Sequence, residues 1–161
     1  MGEYLLNNKW TLWYHSITNT EWTNSSYEKV LEIENLYDTN IILDNLQSYH
    51  LQNGMFFMMK DEIFPTWEYP DNREGCSISF KVPAQQLKET WDLLIRNIII
   101  GEIFKNKEDI DELNGISISP KKEFNIIKLW LKKNEKDYDK YINEYPPYLI
   151  KSKSLYRKHI S

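Results

Sequence analysis

Met55-Phe56-Phe57-Met58-Met59-Lys60-Asp61-Glu62-Ile63-Phe64-Pro65-Thr66-Trp67-Glu68 runs from a short apolar strand into a polar loop. Residues 55–59 read as the strand; Pro65, Pro70 and Asn72 mark the loop, and the next strand, 77–82 (SISFKV), follows it. A loop this long between two strands is a natural carrier of function. Trp67 stands in it between polar neighbours, with no apolar stripe to join. Trp22 is set the same way, within Asn19-Thr20-Glu21-Trp22-Thr23-Asn24-Ser25-Ser26. A loop tryptophan either folds back as an anchor or offers a stacking surface, and the local sequence leaves both open.

Outward from this segment, strands and helices alternate. Residues 9–15 (KWTLWYH) are aromatic-rich and read as a strand, and 27–34 (YEKVLEIE) supply an antiparallel partner. Asp38 and Thr39 are helix-capping residues, after which Ile42, Leu43, Leu46 and Tyr49 recur at helical spacing. From Pro83 onward Leu87, Trp91, Leu94, Ile95 and Ile98 line one face of a second helix, which Gly101 is placed to end. Residues 115–119 and 123–131 predict a hairpin around Pro120, Lys121 and Lys122. A third, shorter helix is expected over 135–143; Pro146 and Pro147 stop it, and 148–151 resume a strand. The class is α+β: a mainly antiparallel sheet covered by helices on one side, its other face open for a ligand.

A chain of 161 residues buries a good core as one domain and a poor one as two; with no linker or internal repeat, a single domain over 1–161 is expected. Hydrophobic residues at 41% and aromatics at 14% are too much apolar surface for a disordered chain. One cysteine, Cys76, excludes an internal disulfide, and with no signal-peptide pattern at the start a cytoplasmic setting is expected. No apolar stretch is long enough to cross a bilayer. A net charge of -4 argues against gripping long nucleic acid by its phosphates, so nucleic-acid recognition would be local. An enzyme would need a constellation, and neither Cys76 nor His15, His50 or His159 has a motif around it. No metal-ligand spacing or Gly-rich phosphate loop is present, and the acidic run Glu108, Asp109, Asp111, Glu112 reads as a solvated loop. Neither cofactor nor metal is implied.

Lys60-Asp61-Glu62-Ile63-Phe64-Pro65-Thr66-Trp67-Glu68 resembles the Lys-Asp-x-Ile-x-Pro-x-Trp-Glu segment of the translation initiation factor 4E family. Lys9-Trp10-Thr11-Leu12-Trp13-Tyr14 is similar to that family's first strand, Trp22 falls at its first stacking tryptophan, and Tyr37-Asp38-Thr39 matches the start of its first helix. Trp91 with Gly101-Glu102, then Gly115, Trp130 and Pro146-Pro147 continue the correspondence. The resemblance implies a curved sheet of about eight strands backed on its convex face by three helices.

It also implies a ligand, the 7-methylguanosine cap of mRNA. Methylation makes the guanine cationic, and Trp22 and Trp67 would close on its two faces by stacking and cation–π attraction, about 2 kcal/mol per desolvated contact. Glu68 would accept hydrogen bonds from the guanine edge. For the phosphates, Lys121 and Lys122 fall where the family carries an arginine, Arg73 lies in the Trp67 loop, and Lys151, Lys153, Arg157 and Lys158 form a basic patch near the C-terminus. The sequence departs from the family where Gly75 is followed by Cys76 and Ser77 in place of an Arg-Trp pair, and where Ile126 stands near the expected phosphate lysine. On the convex helical face the resemblance implies a scaffold initiation factor of the 4G type or a 4E-binding repressor, met by Tyr4, Leu6, Asp44 and Trp91; Asp44 stands where the family has a tryptophan. A monomer without membrane contact is expected. The competing readings are a degenerate member kept as a protein-interaction module, and a repressor that holds the cap without recruiting the translation machinery.

Overall fold

The structure, a computed structural model, describes residues 5–160. Its strands are β1 (Leu5–Ser16), β2 (Glu28–Asn35), β3 (Gly54–Lys60), β4 (Cys76–Pro83), β5 (Leu113–Pro120), β6 (Phe124–Leu131) and β7 (Leu155–Lys158). They lie in one sheet in the order β2-β1-β3-β5-β6-β4-β7, and every neighbouring pair is antiparallel. The helices are α1 (Leu36–Asn45), α2 (Ser48–Asn53), α3 (Pro70–Arg73) and α4 (Leu87–Ile99).

Side chains alternate across a strand, and this sorts the sheet into two faces. Leu12 of β1, Met58 of β3, Phe80 of β4, Ile116 of β5 and Leu129 of β6 turn to one side, where Ile42 of α1, Leu51 of α2 and Trp91, Ile95 and Ile98 of α4 cover them. The opposite face carries a thinner aromatic layer of Phe57, Met59, Ile63 and Trp130, with Trp13, Tyr27, Met55 and Tyr69 packed against it. The core therefore sits between sheet and helices, and the second face is left for the loops.

The first helical stretch is broken in two. Asn35 caps α1 by accepting from the Asp38 backbone N–H at 2.9 Å, and the Asp38 carboxylate accepts from the Glu34 N–H at 2.9 Å. Asp38 is thus an N3 residue rather than the cap. Helix α4 ends as its sequence foretells, with Gly101 at a φ of 79° in the left-handed region. In place of a helix over 135–143 there is one 3₁₀ turn, Tyr138–Lys140. Lys105 N–H donates to Tyr141 O and Asn143 N–H to Ile103 O, so the backbone that would extend the helix is spent on the 103–105 loop. Residues 148–151 supply only an isolated bridge, Tyr145 to Leu149, and the seventh strand forms later, as β7. Among the described residues the sheet has seven strands, in keeping with the expected antiparallel sheet backed by helices.

Candidate functional site

On the open face the same alternation brings His15, Phe57, Ser117, Ser119, Lys128, Trp130, Ser77 and Arg157 to one side of the sheet. Lys128 lies opposite Ser117 on β5 and Ser79 on β4, and these small neighbours leave room around it. Trp130 donates its indole N–H to Ser117 Oγ at 2.9 Å, which fixes the floor.

Two loops rise above that floor. Trp22, 55% exposed, and Trp67, 48% exposed, come from loops far apart in the chain yet line one cleft of ≈ 340 Å³ with Glu68, Tyr27, Lys128 and Trp130. About half of each residue stays exposed, so neither is spent wholly on anchoring its loop. Glu68 faces the cleft closely enough that its charge adds to burial in pushing the Tyr27 hydroxyl up to about 12.

Each loop is held by buried polar groups. Asn72, fully buried in α3, donates its side-chain amide to Phe64 O at 3.1 Å and Thr66 O at 2.8 Å, and accepts from Asn114 Nδ2 at 3.0 Å. The Asn72 carbonyl faces His159 Nδ1 at 2.6 Å. Phe64 packs edge-on against Trp13, and Pro65 is buried beneath the turn. Gly75, which ends this loop, has no room for a side chain, since a Cβ there would lie 1.9 Å from Leu131 O. The Trp22 loop is held by His15, whose ring stacks on the indole at 3.9 Å.

A second cleft of ≈ 330 Å³ adjoins the first, sharing Trp67, Lys128 and Trp130 and adding Ser77, Arg157, Lys158 and His159. Among the described residues, Lys128, Arg157 and Lys158 are paired with no carboxylate. Lys128 is pushed below the usual lysine range by burial first, then by the positive charges of Arg157 and Lys121. His159 is likewise lowered by burial, with Lys128 and Arg157 adding to it and the Asn72 carbonyl opposing it. An anion seated here would relieve all of these repulsions.

Of the residues that the sequence proposed for phosphate, Arg157 and Lys158 line this cleft, and Lys121 acts on it through its charge alone. Lys122 lies on the hairpin turn and Arg73 on the exposed side of α3, lining neither cleft. Lys151 is taken up by Asp137 and Asp139, and Lys153 is exposed on the same 3₁₀ turn outside both clefts. Lys128 was missed, although Lys128 and Trp130 flanking Leu129 put both on the solvent face of a strand. On the helical side Tyr4 falls outside the described residues, Leu6 is half-buried and Asp44 is exposed. Trp91 is a correction: it is wholly buried between α4 and the sheet and presents no surface to a partner. Cys76 is buried as well, and burial pushes its thiol up. Among the described residues no cluster of three or more His, Cys, Asp or Glu is placed to hold a metal, and no helix is long and apolar enough to cross a membrane.

Comparison with known proteins follows this geometry. Residues 5–153 match the family model of Eukaryotic initiation factor 4E. The chain is 27% identical over 139 residues to eukaryotic translation initiation factor 4E of Saccharomyces cerevisiae, a match covering 82% of this chain and 63% of that protein. With the corresponding factor of Dictyostelium discoideum it shares 27% over 133 residues, covering 79% of this chain and 52% of that protein. The match thus spans between half and two thirds of these relatives' length. Among solved structures, Caenorhabditis elegans eIF4E-3 in complex with the 4E-binding protein Mextli and a cap analog superposes with a TM-score of 0.74 at 22% identity, over 84% of this chain and 78% of that one. Ascaris suum eIF4E-3 in complex with the m7G cap gives 0.74 at 18% identity, over 86% and 79%. These likenesses establish the fold, and the family model, matching all but the two ends, establishes descent: the chain belongs to the Eukaryotic initiation factor 4E family.

Proposed function

We propose that this protein is a binding protein, not an enzyme, that holds the 7-methylguanosine cap of mRNA in the cytoplasm during translation initiation. The observation that carries the reading is the pair of half-exposed indoles, Trp22 and Trp67, bounding one cleft beside a cluster of unpaired cations. A cationic purine fits between two electron-rich rings, Glu68 accepts from the guanine edge, and the phosphates run toward Lys128, Arg157 and Lys158. The solved relatives that carry cap analogs share the fold and support the same ligand. Because the Caenorhabditis elegans relative is a complex with the 4E-binding protein Mextli, a scaffold factor or such a repressor is the expected partner, on the helical face where Asp44 is exposed.

The test is retention on immobilised 7-methyl-GTP, released by free 7-methyl-GTP and not by GTP. Trp22→Ala and Trp67→Ala should each cost about 1 to 3 kcal/mol of affinity. Saturating ligand should quench tryptophan emission, and unchanged emission would rule out stacking on both indoles. Lys128→Ala and Arg157→Ala should weaken binding of 7-methyl-GTP while sparing 7-methylguanosine; equal loss on both ligands would remove these residues from the phosphate role.

A further inference from the structure

His15 is a fully buried side chain that is not among the ligand-binding groups assigned above. Its ring lies nearly parallel to the Trp22 indole, 3.9 Å between centroids and 8° between planes. It does not line the cleft that Trp22 and Trp67 bound, so it meets the indole from outside that cleft. Tyr27 meets the same imidazole edge-on at 4.9 Å and holds it from the side. The two ring nitrogens bracket the loop: Nδ1 lies 2.9 Å from Ser16 O, where β1 ends, and Nε2 lies 2.9 Å from Glu21 O, one residue before Trp22. Ser26 Oγ, 3.1 Å from Nε2, also donates to Thr23 O at 2.7 Å and accepts from Thr23 N–H at 3.1 Å, tying the far side of the tryptophan to the same ring.

The geometry points to His15 as the positioning residue for Trp22: it backs the indole by stacking and sits between the two ends of the 16–21 loop, donating to Ser16 O or to Glu21 O according to which ring nitrogen carries the hydrogen. The indole then stands in one plane, with one face free, before any ligand arrives. This inference rests on the cap-binding reading for its consequence, not for its geometry. Trp22 is exposed and its immediate neighbours are polar, so without the imidazole its ring would turn freely, and a ligand would have to order it on binding. Aromatic contacts of this kind, together with ordering of one ring, account for about a tenfold change in affinity.

Three measurements decide it. In the ligand-free protein the carbon-bound ring protons of His15 should be shifted upfield by the indole current, and the shift should vanish in Trp22→Ala; unshifted protons in the wild type overturn the inference. His15→Phe, which keeps a flat ring and loses the hydrogen bonds, should bind 7-methyl-GTP within about threefold of wild type, whereas His15→Leu should lose about tenfold with an unchanged thermal midpoint. Equal affinity in the Leu and Phe variants overturns it. Should His15→Leu not fold, the ring-proton shift and the Phe variant still decide. If wild type fails to bind 7-methyl-GTP at all, the cap reading falls, and the shift alone judges His15.

Discussion

Glu68 is an exposed acid whose charge acts on Tyr27, and the proposed base preference of the site is assigned to it. Stacking tolerates any purine, so removing the carboxylate should flatten discrimination more than it weakens binding. For Glu68→Ala the ratio of affinities for 7-methyl-GTP and 7-methyl-ATP should approach one, while fluorescence quenching by either persists; a preserved ratio in a titration series would take base reading away from Glu68. Residue chemistry was partly legible in the sequence: a tryptophan among polar neighbours stayed ambiguous until the family segment around it was considered, and the structure then showed it exposed. Lys128 was hidden because a lone lysine in an apolar run looks like an ordinary solvent-facing position, and what marks it is its company, Ser79, Ser117 and Arg157, which strand pairing alone brings together.

At the scale of elements, the four-residue α3 matters more than its length suggests, because Asn72 fastens the Trp67 loop through three side-chain hydrogen bonds in a fully buried position. Asn72→Ala removes three side-chain hydrogen bonds from a buried position, while Phe64 O keeps the Thr66 N–H, Thr66 O keeps the Tyr69 N–H and the Asn114 amide keeps Asp71 O, and should lower stability by about 3 kcal/mol in urea unfolding. It should also weaken 7-methyl-GTP binding in the fraction that stays folded, and a variant as stable as wild type would show that the loop is held elsewhere. The strands and α4 were readable because their apolar residues recur at periods of two or at helical spacing over long runs. The third helix was misread because Tyr138 and Ile142, at helical spacing and both buried, carry the same signal as one turn whose ends bond to the 103–105 loop. Trp91 was placed on the partner face by the resemblance, although its spacing with Leu87, Leu94, Ile95 and Ile98 sets it on the apolar stripe that the sheet covers.

Across the whole molecule a net charge of -4 coexists with a local knot of cations, and beside it His159 is lowered by burial first, with Lys128 and Arg157 adding to it. Its folded value lies below the ordinary 6.5, so between the two values the unfolded chain binds more protons than the fold. Its contribution to stability is therefore whole above about pH 6.5 and lost as pH falls through the lowered value. His159→Asn, which keeps an N–H near Asn72 O, should remove part of the acid-side loss of stability seen in thermal midpoints below pH 6.5; an identical acid profile would assign that loss to other groups. β7 carries Arg157, is only four residues long and pairs on one side alone, with β4, while both indoles stand on loops elsewhere. A single nick in the exposed turn at Ser152 or Lys153 would loosen that margin, and with it Arg157, Lys158 and the His159 contact to Asn72. A molecule so clipped, keeping Lys128 on β6, should lose more affinity for 7-methyl-GTP than for 7-methylguanosine, which would set the last short strand apart as a handle on the phosphates more than on the base.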